Sequence, residues 1–144
     1  NAFTNVASFY IALSGGIDDN VLTVGETTTA LAYFADAETM DMSLMFQSNS
    51  SLSATDNITL SNYITALCAA RKDAVGFVSP ERAATVNAAA PATTVAAWRT
   101  GISSTSYGFA DSSSLYVYDK YNDVYRYICA AGSMAGIRER ASCR

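Results

Sequence analysis

Two short segments, Ser14-Gly15-Gly16 and Ser79-Pro80, follow predicted strands and have the small, polar make-up of ligand loops. Each would lie at the carboxyl end of a strand, where open α/β sheets bind nucleotides and other small molecules. Ser14-Gly15-Gly16 lacks the spacing of GxGxxG or GxxxxGK[ST], and no lysine follows until Lys72, so turn punctuation explains it better. Carboxylates pair at Asp18-Asp19, and Asp119, Asn122 and Asp123 share one short segment. Carboxylate pairs can serve acid–base catalysis or bind calcium. Neither group matches D-x-[DN]-x-[DN]-G, and both suit turns, where Asx side chains bond their own backbone. Six of the nine tyrosines, Tyr107, Tyr116, Tyr118, Tyr121, Tyr125 and Tyr127, fall within one stretch. They would make a stacking platform for bases or sugars, but the chain is acidic. Packing within a hairpin, or aromatic contact with another subunit, is the simpler account.

The rest of the inventory argues against catalysis. The chain has no histidine, which excludes a Ser-His-Asp triad, a Cys-His dyad, an HExxH zinc site and a histidine base. Cys68, Cys129 and Cys143 are far apart and form no CxxC, so neither structural zinc nor a disulfide framework is expected. Cys68 and Cys129 sit among apolar residues and read as small buried hydrophobes, which fits a reducing compartment. No residue is singled out as catalytic, cofactor-binding or metal-ligating, and no cofactor is expected.

Residues 1–70 hold seven acids and no base, whereas the remainder holds nine bases and six acids, ending in Arg138-Glu139-Arg140-Ala141-Ser142-Cys143-Arg144. Charge balance within one domain accounts for this, as does an acidic face meeting a basic edge on the next copy. With a net charge of −4 and no dense basic stripe, direct nucleic-acid binding is disfavoured.

The elements that would hold these residues alternate. Phe9 to Leu13 reads as a strand, and Thr23-Val24-Gly25-Glu26 as a capping box opening a helix with Ala30, Leu31, Phe34 and Ala37 on one face. Asp41 to Phe46 reads as a strand in which Met42, Leu44 and Phe46 alternate with Ser43 and Met45, and Gln47 to Asn57 as a surface loop. A helix over Asp56 to Lys72 places Leu60, Ile64, Leu67 and Cys68 on one stripe, with Arg71 and Lys72 at the negative end of its dipole. Ala74 to Val78 is apolar throughout, as in a central parallel strand. Ser79-Pro80-Glu81 then supplies an N-cap, an N1 proline and a first-turn acid; a second helical piece after Pro91 carries Val95 and Trp98 to Gly101. Leu115–Tyr118 and Val124–Ile128 read as an antiparallel hairpin, and Ser133 to Ile137 as the start of a last helix. The order β-α-β-α-β-α-β-β-α predicts an α/β fold: a mainly parallel twisted sheet between helices, with an antiparallel hairpin near its C-terminal end.

At 144 residues, 50% hydrophobic and 15% charged, one domain (1–144) is expected, with little polar surface for a free monomer. No apolar run is long enough to span a membrane, and no secretory signal supports the sequons Asn49-Ser50-Ser51 and Asn57-Ile58-Thr59. The chain opens at Asn1 rather than Met, so it is expected to be a piece of a longer protein.

Tyr118-Asp119-Lys120-Tyr121-Asn122-Asp123-Val124-Tyr125-Arg126, followed by Ala130-Ala131-Gly132-Ser133-Met134-Ala135-Gly136, resembles the contractile tail sheath proteins of myovirus-type phages. Leu13-Ser14-Gly15-Gly16 is similar to that family's L-x-G-G after its first core strand. Phe34-Ala35-Asp36, Ala70-Arg71-Lys72-Asp73, Ser79-Pro80-Glu81-Arg82 and Ala97-Trp98-Arg99-Thr100 resemble further segments of T-even-type sheaths, in the same order. The resemblance covers nearly the whole chain and implies a structural protein, not an enzyme. Such subunits stack as hexameric rings in a helix around the tail tube, between baseplate and tail terminator, and contract to drive the tube through the host envelope. It further implies a virion component assembled in the bacterial cytoplasm, without membrane insertion. The family's distal C-terminal domain and linking arms have no counterpart in these residues. Two other readings stand beside it: a small-molecule or nucleotide-binding α/β domain, and a secreted adhesion domain suggested by the sequons and the tyrosines.

Overall fold

The Thr23 hydroxyl accepts the Glu26 N–H, and the Glu26 carboxylate accepts the Thr23 N–H at 2.9 Å, completing the expected capping box. In the computed structural model, which describes residues 12, 15–16, 22–47 and 52–142, this box opens α1 (Val24–Ala32). The helix is shorter than its apolar spacing suggested: Phe34 and Ala37 lie beyond its end, although Leu31 and Phe34 still pack on the core. The expected strand Phe9–Leu13 (except Ala12), Ser14, the Asp18-Asp19 pair, the sequon Asn49-Ser50-Ser51 and Cys143 fall outside the described residues.

Three short strands, β1 (Leu44–Phe46), β2 (Val75–Val78) and β3 (Gly108–Ala110), form a parallel sheet in the order β1-β2-β3. The apolar run after Ala74 is central, as expected. Between β1 and β2 runs α2 (Ala54–Arg71), capped by Ser53. Between β2 and β3 come α3 (Arg82–Thr85) and α4 (Pro91–Gly101). A separate antiparallel sheet follows, β4 (Ser114–Asp119) paired with β5 (Val124–Cys129), and α5 (Ala131–Ser142) ends the described chain. This is the α/β class read from the sequence. Three details differ: the sequence carries no signal for β3, the hairpin is a sheet of its own and not an edge of the parallel one, and the surface loop expected over Gln47 to Asn57 gives way to α2 from Ala54, with Gln47 and Asn57 both buried.

Strand register sorts the side chains onto two faces. Met45, Gly76 and Gly108 are in register on one face, and Phe46, Phe77 and Phe109 on the other. The first face takes α2, whose Leu60, Ile64, Leu67 and Cys68 join Met45, Val78, Trp98 and Ile102 in the main core. A Cβ on Gly108 would come within 2.8 Å of Thr65 Cγ2, so the missing side chain is what lets α2 lie this close. Alternation in β1 therefore holds, but Met45, not Phe46, enters the main core. The second face takes α5, through Ala131 and Ala135 over Phe77.

The start expected at Ser79-Pro80 is also displaced. Glu81 is the N-cap of α3 and makes no side-chain cap bond, and the Ser79 hydroxyl, expected to cap it, is engaged by Asp111 and Ala131.

Candidate assembly surface

Most polar side chains at the carboxyl ends of the parallel strands are bonded to one another, although Gln47 Nε2 and Glu81 Oε2 are buried without a partner. Ser79, just past β2, donates to Asp111 Oδ2, just past β3, at 2.5 Å, and accepts the Ala131 N–H of α5 at 2.9 Å. Asn57 of α2 donates to the Ser79 carbonyl at 3.3 Å and accepts the Trp98 indole N–H at 2.6 Å. Ser61 donates to Gln47 Oε1 at 2.8 Å. Burial pushes the Asp111 carboxyl above its ordinary range, against the opposing pull of the Ser79 and Ser113 hydrogen bonds. The spine ties α2, α4, α5 and two strands together, and it was not read from the sequence. Its signal is Asn57 and Ser61 four residues apart, on the same stripe as Leu60 and Ile64. Asn57 is 0% exposed, so the folded protein offers this sequon nothing to glycosylate.

The acidic hairpin segment forms a turn. Asp119 accepts from the Tyr121 N–H, from Asn122 Nδ2 at 2.7 Å and from Arg126 Nε at 3.0 Å. These bonds, that of Asn122 first, hold its carboxyl below the ordinary range. Asp123, at φ 53°, accepts from the Tyr118 hydroxyl at 2.6 Å, which pushes that phenol up. Hence Asp119, Asn122 and Asp123 meet, with both Asp119 oxygens and Asp123 Oδ1 taken by protein donors. Among the described residues, no cluster of three His, Cys, Asp or Glu side chains could hold a metal ion.

What the structure leaves open is aromatic. On the hairpin, Tyr116 and Tyr127 are directly opposed, as are Tyr118 and Tyr125. Tyr116 stacks on Tyr125 at 4.9 Å between ring centroids, and Arg82 lies 5.8 Å from the Tyr127 ring. The other hairpin face carries Leu115, Val117 and Ile128, and both Val117 and Ile128 are exposed. The hairpin's link to the body includes a Thr85–Ser114 hydroxyl contact and a Cys129 Sγ donation to the Gln47 carbonyl at 3.1 Å. A two-stranded hairpin wet on both faces is marginal by itself, so this surface gains by being covered. Of the six clustered tyrosines, four form this ladder; Tyr107 packs on the core and Tyr121 projects from the turn.

The sheet's second face is also incompletely covered. Helix α5 buries Phe77 but leaves Phe46 52% and Phe109 42% exposed on either side of it. No helix among the described residues is long and apolar enough to cross a membrane.

No protein-family model matches the chain. Over 140 residues, 96% of the chain, it is 34% identical to the tail sheath protein of Salmonella phage ViI. It is 32% identical to the tail sheath protein of Enterobacteria phage T4 over 90% of the chain, and 38% identical to that of Vibrio phage KVP40 over 46%. The chain spans about a fifth of the length of the ViI and T4 proteins, 21% and 22%. It is therefore a relative of phage tail sheath proteins along nearly all of its own sequence, as its motifs implied.

Proposed function

We propose, from that kinship, that the chain is one α/β domain of a longer structural subunit of a contractile tail sheath. In this reading it makes no covalent change to any ligand and acts by packing against other copies of itself around a tail tube. Its place is the virion tail, after assembly in the bacterial cytoplasm. The observation that carries this is the 34% identity over 96% of the chain to a tail sheath protein. The exposed tyrosine ladder and the half-covered phenylalanine row agree with it, since a building block must keep apolar surface for its neighbours.

A repeated head-to-tail contact that does not close in one plane generates a helix. Contraction then requires two packings of the same subunits, with the higher one kinetically trapped. A densely packed α/β body suits such a change, because it passes displacement on instead of absorbing it. The small-molecule reading gains nothing from Ser79, Asn57 and Asp111, whose groups at the strand ends bond to one another.

Electron microscopy of the full-length polypeptide tests the proposal. Helical tubes or stacked rings are the expected result. A protein that stays monomeric across salt and concentration refutes it.

A further inference from the structure

Beside β3, the second face of the sheet is a groove. Val75, Phe77, Phe109, Met134 and Ile137 line it, with Arg138 at its rim, around a volume of about 280 Å³. Ile137 is 60% exposed. The groove is thus an apolar slot with a cation at its mouth, on the β3 edge of the sheet.

A ridge of matching character precedes β1, the strand at the opposite edge from β3. The connection between α1 and β1 carries Asp36, Glu38 and Asp41 and exposes Met40. It lacks regular structure, but it is held. Buried Arg71 donates to the carbonyls of Phe34 (2.6 Å), Asp36 (3.1 Å) and Met40 (2.7 Å), and is itself fixed by Asp73. The conformation of the ridge is therefore set before any partner arrives, which lowers the entropy lost on docking. Among the described residues neither Glu38, Asp41 nor Arg138 is in an ion pair.

We propose that the α1–β1 ridge of one copy docks in the β3–α5 groove of the next, with Met40 in the apolar slot and Glu38 and Asp41 facing Arg138. This inference rests on the sheath reading and names one contact within it. Acid meets base, and a methionine meets a slot of its own chemistry. Because ridge and groove are two different surfaces of one copy, the contact is heterologous and propagates from copy to copy.

A charge-exchange cycle in the full-length polypeptide tests this, read as the concentration at which pelletable polymer forms. Arg138→Glu should raise that concentration about tenfold, and so should Glu38→Arg with Asp41→Arg, each effect shrinking in high salt. Combining the exchanges should restore polymer, which also shows that the variants fold. If Arg138→Glu polymerises like the parent, or the combination fails to recover while monomer melting is unchanged, the ridge–groove contact is wrong although the sheath reading survives. A parent chain that forms no polymer overturns both.

Discussion

Ser79→Ala isolates the joint between the sheet and α5. The hydroxyl makes two bonds, accepting the buried Ala131 N–H at 2.9 Å and donating to Asp111 at 2.5 Å. Alanine fits the space but offers neither. An orphaned buried donor costs about 1–3 kcal/mol, and a lost hydrogen bond to a carboxylate about 1.5–3 kcal/mol. Because the two bonds share one hydroxyl, about 3 kcal/mol is expected in total. With a urea slope of about 2 kcal/mol/M, the unfolding midpoint should fall by about 1.5 M. Amide exchange at Ala131 should accelerate with it. The loss should also depend on pH. Asp111 is raised by burial, so the native state holds a proton that the unfolded chain releases, and stability falls as pH rises towards the native value. Removing the Ser79 donor raises Asp111 further. The variant's deficit should therefore be largest at neutral pH and shrink on acidification. A midpoint shift below about 0.2 M at pH 7, or a deficit that grows in acid, would refute the assignment of Ser79 as this joint.

Glycine substitutions should separate close packing from open space. Gly108→Ala pushes a methyl into Thr65 and should cost about 1–3 kcal/mol in thermal or urea melts. Gly136→Ala, with nothing within 4 Å of its Cβ, should stabilise α5 by about 0.5–1 kcal/mol. Lys72→Gly should raise the melting temperature, because the αL cap of α2 at φ 67° suits glycine better than any side chain. Arg71→Met should destabilise by at least about 3 kcal/mol, because it leaves three carbonyls without their donor. It should also flatten the acid limb of the pH–stability curve. Asp73 is held below its ordinary range by its hydrogen bonds to Arg71, so that contribution is present above the unfolded pKa and fades as pH falls through the lowered one.

The elements legible in the sequence are those with strong local periodicity. The apolar run Ala74 to Val78 marks a strand covered on both faces, and the Leu60–Ile64–Leu67–Cys68 stripe marks the helix lying on it. The hairpin is equally visible, because its tyrosines alternate on both sides of an Asp/Asn-rich turn. By contrast β3 has no such signal. Three residues, one a glycine, become a strand only because β2 pairs with them, through bonds such as Gly76 N–H to the Tyr107 carbonyl. The displaced start of α3 has a similar cause: Ser79-Pro80-Glu81 satisfies the capping pattern, but Asp111 and Ala131 compete for the serine. The exposed ladder was half legible. Clustering of tyrosines is written in the chain, whereas the bareness of both hairpin faces follows from where the other elements are not.

The Arg71 clamp bears on where the chain can change length. A guanidinium of fixed reach holds the carbonyls of residues 34, 36 and 40, so an insertion or deletion between them would pull at least one out of range. The bonds of the β4–β5 turn begin and end within residues 118–126, so lengthening it would cost those local bonds without pulling on any other element. Extra residues should therefore accumulate at that tip, while the stretch from Phe34 to Met40 keeps its count.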